Sequence, residues 1–590
     1  MGKSQSRSYD LVHPNTSTNS EHFIERERKL QPNNTNGTSE TNNRQEEPPS
    51  IITMATKSKD IVEVEACSVN DMTNGEMREV EIGEGKALLV KEKEQFYAVG
   101  AKCTHYGAPL VKGAFSDGRV RCPWHGACFS VVTGDIEDYP GLDSLPKFDV
   151  EVSGGKVVVK ASKSALSNHK RQKSMCRAAA ANKHKVLIIG GGPAAVACAQ
   201  TLRQEGFNGQ IAIVTKENHL PYDRPKLSKA MDSKAEALAL RDADFYKSAD
   251  IQIHKNKEAV SVDTKTNKVT FKDNDSLDYD SLLLATGGRP RSLPIPGTDL
   301  KNVCLLRTPD DANFIFEAAQ NSNVVIIGSS FIGMEVAASL ANAGTAKSVS
   351  VVDIIKVPFQ LVLGDKVGSV FQKMHEEKGV KFYFETGISE FVGENGSVKE
   401  AVLSDGTRLP ADLCVLGVGV VPATEFVKDS GIEMTGKGFI PVDKCMKTSI
   451  PNVFAAGDIV EFPLFCVDDE KVNVSHWQMA HAHGRTAAYS ILEKPREIKS
   501  VPYFWTVMYG KSIRYTGYGP GYDDIVVHGD LDQPKFVAYY TKGEEVVAVA
   551  SLNFDPVVSQ AAQMMSAGKK ILKSEIEVDP HGWLARLTEG

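Results

Sequence analysis

The sequence predicts a multidomain chain of mixed class: a small all-β domain, then an α/β region that uses one strand–turn–helix–strand unit twice, then an α+β domain at the C-terminus. Three observations predict it. At 590 residues the chain is several times longer than one ordinary domain. A glycine turn between a buried-strand run and a helix occurs twice, once after Ile189 and once after Ile327. Ahead of both stand two short Cys/His segments, Cys103-Thr104-His105 and Cys122-Pro123-Trp124-His125.

The first element is set by those segments. C-x-H and C-x-x-H present two thiolates and two imidazoles to a [2Fe–2S] cluster, the cysteines holding one iron and the histidines the other. This spacing reads as a Rieske centre. A structural zinc also takes two Cys and two His, but zinc modules pair ligands of one kind, as C-x2-4-C and H-x3-5-H. Cys103, His105, Cys122 and His125 are therefore the expected cluster ligands. Neutral imidazoles in place of anionic thiolates ease reduction, so the site is a one-electron carrier. Tyr106-Gly107-Ala108-Pro109 and Gly126 supply the turns that close two loops over the metal.

From Asp60 to Ala161 the chain resembles Rieske ferredoxin domains. High-potential members of that family carry an extra cysteine in each loop and a serine and tyrosine that hydrogen-bond the cluster. The matching positions here are Ala108, Trp124, Ala127 and Phe129. The resemblance thus implies a potential toward the low end of the Rieske range, in a ferredoxin type fed by a reductase.

The α/β region opens with Val186-Leu187-Ile188-Ile189 and then Gly190-Gly191-Gly192-Pro193-Ala194-Ala195, a G-x-G-x-x-A fingerprint. Gly190 allows the tight turn, Gly192 lets a pyrophosphate approach the helix N-terminus, and Ala195 permits close helix–strand packing. Glu217, beyond the next strand, is placed to bind a ribose hydroxyl. The unit recurs from Val324 through Gly328 to Gly333, followed by a strand ending in Asp353. Two units imply two dinucleotides, and an acid at Asp353 favours NADH over NADPH, with Lys356 nearby as a counterweight. Ser330 stands where the second glycine is expected, so the NAD unit either binds more weakly or keeps only the fold.

From Lys185 to Pro502 the chain resembles the two-dinucleotide flavoprotein reductases, in particular the apoptosis-inducing-factor and ferredoxin-reductase branch. The resemblance implies that Arg224 and Lys229, in Pro221-Tyr222-Asp223-Arg224-Pro225-Lys226-Leu227-Ser228-Lys229, contact the FAD. It implies that Thr286 and Gly287 form the turn beside the nucleotide, and that Asp458 binds the ribityl chain. Trp477 is expected near the isoalloxazine and Glu335 toward the nicotinamide, their bland alternatives being a packing tryptophan and a solvated helix charge. A Rieske domain ahead of such a reductase further implies an association with cell death. No cysteine pair lies near either fingerprint, so the acceptor is not a bound disulfide.

The expected domains are a disordered tail (1–57), the Rieske domain (58–162), a linker (163–184), an FAD domain in two parts (185–318 and 426–498), an NAD domain (319–425) and the C-terminal α+β domain (499–590). The linker permits the Rieske domain to meet its own flavin or a neighbour's. A net charge of -7 excludes general attraction to nucleic acid, and no apolar run approaches the roughly 18 residues of a membrane helix. Ten scattered cysteines suit a reducing compartment. Met1-Gly2-Lys3-Ser4-Gln5-Ser6 fits N-myristoylation, giving a peripheral membrane contact, and Asp10, Glu21 and Glu25 speak against a matrix presequence. The expected location is intracellular, cytoplasmic or mitochondrial.

The expected activity is hydride transfer from NADH to FAD, then single electrons to the cluster and an unknown acceptor, with no catalytic acid or nucleophile. Two rivals stand. One is an NADH-controlled switch or scaffold with little turnover. The other is a mononuclear iron at Asn473, His476 and His481, whose spacing imitates an oxygenase triad with asparagine in place of the acid.

Overall fold

The computed structural model describes residues 60–587; the expected tail and Gly2 lie outside them. The first domain is all β. Six strands form an antiparallel sheet in the order Ile61–Ser68, Lys156–Ser162, Lys147–Ser153, Gln95–Gly100, Gly85–Glu92, Met77–Ile82. Lys156–Ser162 shows why: Val157, Val159 and Ala161 alternate inward with period two while the residues between them face out. Four short strands, Ala114–Ser116, Arg119–Arg121, Cys128–Ser130 and Ile136–Asp138, make a second sheet. The two Cys/His segments are loops of this part.

Helix α1 (Lys163–Ser167) follows, its N-terminus capped by the Ser162 hydroxyl, which accepts the Ala165 N–H. The rest of the expected linker is not a loose tether. Arg171 bridges Ser144 and donates to the Leu145 and Thr133 carbonyls, while Arg177 forks onto Asp250 at 2.9 and 3.0 Å. The segment is tied at one end to the first domain and at the other to the next.

That next body is a five-stranded parallel sheet, ordered Ile251–His254, Gln210–Val214, Lys185–Ile189, Ser281–Leu284, Val453–Ala455. Its strands are near-continuous apolar runs because both faces are covered. Helix α2 (Pro193–Gln204) leaves the first glycine turn. A second parallel sheet, Val303–Cys304, Leu413–Leu416, Asn323–Ile327, Ser348–Val352, Lys381–Tyr383, carries α3 (Phe331–Ala343) after the other turn. Helix α4 (Trp477–Ile491) returns to the first body and lies directly on α2: a Cβ on Gly484 would stand 2.1 Å from the Ala194 carbonyl oxygen. Five antiparallel strands, Tyr503–Met508, Lys511–Gly517, Glu545–Leu552, Lys535–Lys542, Asp524–Asp530, and helix α5 (Val557–Ser566) complete the α+β end. The mixed class expected from the sequence is the observed one. Among the described residues no helix is long and apolar enough to cross a membrane.

Candidate functional site

The two Cys/His loops are one turn built twice. Gly107 N–H donates to the Cys103 carbonyl at 2.9 Å and Gly126 N–H to that of Cys122 at 3.3 Å. Cys103 and Cys122 N–H groups close the loops onto Ala108 and Ala127. Gly107 and Gly126 sit at φ +78° and +74°, where a Cβ is strained. The repeated turn brings like ligands together. The Cys103 and Cys122 thiols are neighbours that raise and lower each other's pKa, and the imidazole Nδ1 atoms of His105 and His125 face each other at 3.1 Å. Among the described residues no three or more His, Cys, Asp or Glu side chains converge on one ion. Two pairs, sulfur with sulfur and nitrogen with nitrogen, fit one iron each in a [2Fe–2S] cluster better than one tetrahedral zinc. Burial drives the His105 pKa down to about 3 and that of His125 well below its usual value, so both rings are neutral, the form an iron ligand requires. Backbone N–H groups of His105 and Tyr106 are directed at the Cys103 sulfur, and those of His125 and Trp124 at Cys122.

A cavity of about 780 Å³ opens at the first glycine turn. It gathers Gly190, Gly192, Glu217, Arg224, Lys229, Thr286, Gly287, Asp458, Trp477 and Glu335. A Cβ on Gly192 would meet nothing within 4 Å, so the backbone there is open to an approaching group. Ala195 is buried in α2 and serves packing. No cysteine lines the cavity. Thr286 spends its hydroxyl on the Ala423 carbonyl at 2.7 Å, which ties its turn to the strand beside it. The expected free cations are not free. Arg224 bonds Glu217 at 2.8 Å together with the Tyr222 hydroxyl, and Lys229 pairs with Glu335 at 2.7 Å. The Glu217 carboxylate is thereby engaged by Arg224 and Tyr222.

Two cations of the cavity are left over, exposed Lys216 and half-buried Arg307, and the sequence reading missed both. Arg307 lines the cavity, and among the described residues its guanidinium makes no hydrogen bond or ion pair. Burial, with Arg224 beside it, lowers its pKa to about 10. A half-buried cation with no hydrogen bond of its own, in a cavity that also holds an open glycine turn, fits the diphosphate of a dinucleotide. Glu335 is no solvated helix charge: it is 6% exposed and accepts from Ser228, from Lys229 and from Thr506 at 2.5 Å. Gly328, Gly333 and Asp353 stand apart, at the second turn. There Asp353 accepts from Ser329 N–H and hydroxyl at 2.6 and 2.7 Å. Ser330 takes φ -85°, ψ -170°, close to the -97°, -174° of Gly192, so this position does not demand glycine for its backbone. The Ser330 hydroxyl caps nothing and is exposed. The oxygenase-like triad is not assembled: Asn473 braces the Asp458 and Val460 carbonyls, and His481 stacks on Tyr139.

Residues 184–484 match the pyridine nucleotide-disulphide oxidoreductase family, residues 62–149 the Rieske [2Fe-2S] domain and residues 503–587 the reductase C-terminal domain. The chain belongs to the pyridine nucleotide-disulphide oxidoreductases. It is 52% identical over 525 residues to human apoptosis-inducing factor 3, covering 88% of this chain and 86% of that one. Putidaredoxin reductase CamA of Pseudomonas putida is 32% identical, over 67% of this chain and 93% of its own. The covalent putidaredoxin reductase–putidaredoxin complex superposes with a TM-score of 0.65 at 30% identity, over 69% of this chain and 98% of that one. The chain is accordingly a ferredoxin-reductase-type oxidoreductase with FAD, NADH and a Rieske cluster as its redox groups.

Within this reductase the Rieske domain is clamped, not tethered. Asp138 accepts from Arg121 at 3.2 Å, from Gln478 on α4 at 2.9 Å and from Ser500 at 3.0 Å. Arg121, 1% exposed, also donates to Gln563 on α5 at 2.8 Å. Arg514 and Ser559 donate to the Trp124 and Cys122 carbonyls, each at 2.8 Å. Gly126 packs so closely that a Cβ would lie 2.7 Å from the Tyr503 ring. At the centre sits Trp505, a cavity residue whose ring lies 4.4 Å from that of His125 and 5.8 Å from that of His105. Trp505 falls in the expected C-terminal domain (499–590) and in none of the motifs read from the sequence.

Proposed function

We propose that the chain oxidises NADH at FAD in the 780 Å³ cavity and passes the electrons, within one polypeptide, across Trp505 to the cluster on Cys103, His105, Cys122 and His125. Bound flavin accepts a hydride and yields electrons singly, and the cluster carries one at a time. The observation that carries this reading is the single indole between a cluster ligand and the cavity: Trp505 touches both. Gly190, Gly192 and Arg307 hold the diphosphate of the flavin nucleotide. The Lys229–Glu335 pair fixes charge at the far end, and Phe331, Phe504 and Trp477 exclude water from it. Asp353, at the end of its strand, sets the preference for NADH.

The test is anaerobic. NADH added to the purified holoprotein should bleach the flavin and raise the electron paramagnetic resonance signal of a reduced Rieske cluster in the same turnover, at a rate independent of protein concentration. Bleaching with no cluster signal, or a rate that grows with protein concentration, ends the reading. NADPH is expected to act more slowly. From the name of the human relative we also propose a role in cell death, for which Cys103→Ser should abolish the effect of the wild-type chain on cell viability. Myristoylation of Gly2 is proposed as an anchor; Gly2→Ala should then lose flotation with vesicles.

A further inference from the structure

The clamp raises the question of where an electron leaves. One side of the imidazole pair is covered by Trp505. Tyr106 and Trp124, which are not among the cavity-lining residues, meet that pair as well: the Tyr106 ring stacks on His105 at 3.8 Å and 19°, and Trp124 lies edge-on to His125 at 6.4 Å. Tyr106 is 44% and Trp124 36% exposed. Among the described residues only one other aromatic side chain, Phe314, is exposed to this degree, so two of three border the cluster ligands. Exposed rings in contact with redox ligands are a costly placement unless something docks there.

The charge around them is positive, on a chain whose net charge is negative. Lys226 stands 5.4 Å over the Tyr106 ring, and Lys226 and Lys170 are both within electrostatic range of His105. Lys102 and Lys170 flank His169, and neither makes an ion pair among the described residues. The acids nearby are paired, Asp143 with Arg241 and Asp223 with Lys226 itself, so the surplus positive charge is that of Lys102 and Lys170. Asp223 accepts from the Tyr106 hydroxyl at 2.7 Å and faces Lys226 at 3.5 Å, and Asp143 is forked by Arg241 at 2.7 and 3.1 Å.

We propose that the Tyr106–Trp124 face, with its rim of Lys102, Lys170 and Lys226, is the docking surface for the electron acceptor. The acceptor is a one-electron carrier protein with an acidic face around its own redox centre. This rests on the function proposed above and divides the imidazole pair: electrons enter on the Trp505 side and leave on the Tyr106 side. Each NADH gives up two electrons, so one NADH and two oxidised carriers become NAD⁺, one H⁺ and two reduced carriers. A basic rim raises the encounter rate with an acidic partner and lowers it with a basic one, and salt erases both effects.

The test uses full-length holoprotein, with cytochrome b5 as an acidic probe and cytochrome c as a basic one. Cytochrome b5 should be reduced faster at low salt, with a steep fall as salt rises. The double variant Lys170→Glu/Lys226→Glu should lower its rate by about tenfold or more and raise that of cytochrome c. Affinity of the oxidised, non-turning-over protein for cytochrome b5, measured by calorimetry, should fall in parallel. The NADH-driven cluster signal, read without any acceptor, should be unchanged. If that signal is normal while both cytochromes are reduced equally, or the double variant alters neither rate nor affinity, the docking surface is refuted and the intramolecular relay survives. If NADH gives no cluster signal, the relay itself is wrong and the exit surface falls with it.

Discussion

Replacing Asp138 by alanine should release the Rieske domain from the reductase while leaving both bodies folded. The carboxylate is the common acceptor for Arg121, Gln478 and Ser500, at 3.2, 2.9 and 3.0 Å, from three separate parts of the chain. Without it the Arg121 guanidinium keeps only the Gly126 carbonyl and Gln563, and at 1% exposure it cannot turn to water. Removing one partner of a buried pair costs about 3–5 kcal/mol. At about 1.4 kcal/mol per power of ten, docking would weaken by roughly two to three and a half powers of ten. In anaerobic single-turnover mixing with NADH, flavin bleaching should keep its wild-type rate while cluster reduction slows by about tenfold or more. Protease cleavage between Arg171 and Arg177 should quicken, because the span between those two ties is free to move once the two bodies part. Cluster absorption must survive in the variant for the comparison to count. If it does, and cluster reduction and protease resistance both stay at wild-type level, the clamp has been misread.

Trp505→Leu keeps an apolar side chain but removes the ring between His125 and the cavity. It should slow cluster reduction at unchanged flavin bleaching, without the protease sensitivity of the Asp138 variant. Arg307→Met removes a charge-assisted contact to the flavin diphosphate worth about 1.5–3 kcal/mol. FAD should bind roughly ten- to a hundredfold more weakly by reconstitution, while the melting temperature of the FAD-free protein changes little, since Arg307 is half-buried and makes no hydrogen bond that the change would break. Stability should fall on acidification. Burial depresses His476 and His481 to about 4 and His483 to about 3 from an ordinary 6.5, so below pH 6.5 the unfolded chain binds protons that the folded one does not. The stabilisation is whole above pH 6.5 and is lost as pH drops from there toward 4; a melting temperature flat across that window would contradict the burial of α4.

The pairing of the four expected cluster ligands was legible because the geometry of their loops is local. A C-x-H turn closed by a positive-φ glycine places its sulfur and imidazole by itself, and the second loop repeats it. The glycine turns were legible for the same reason, and the φ and ψ of Ser330 show why its departure from glycine does not disturb the fold. The roles of cations were not. Arg224 and Lys229 carry the recognisable motif, yet each is neutralised by an acid, Arg224 by Glu217 seven residues before it and Lys229 by Glu335 more than a hundred residues away. Arg307 sits in no fingerprint that the sequence reading used, and its lack of a partner is visible only once every neighbour is in place.

By itself, then, the amino-acid order determined that this chain builds one cluster domain and two nucleotide folds, since turns and buried strands depend on residues a few positions apart. Only the tertiary structure decided which body the cluster domain packs against. That answer lies in contacts such as Arg121 with Gln563 and His125 with Trp505, between residues hundreds of positions apart, and no local spacing encodes them.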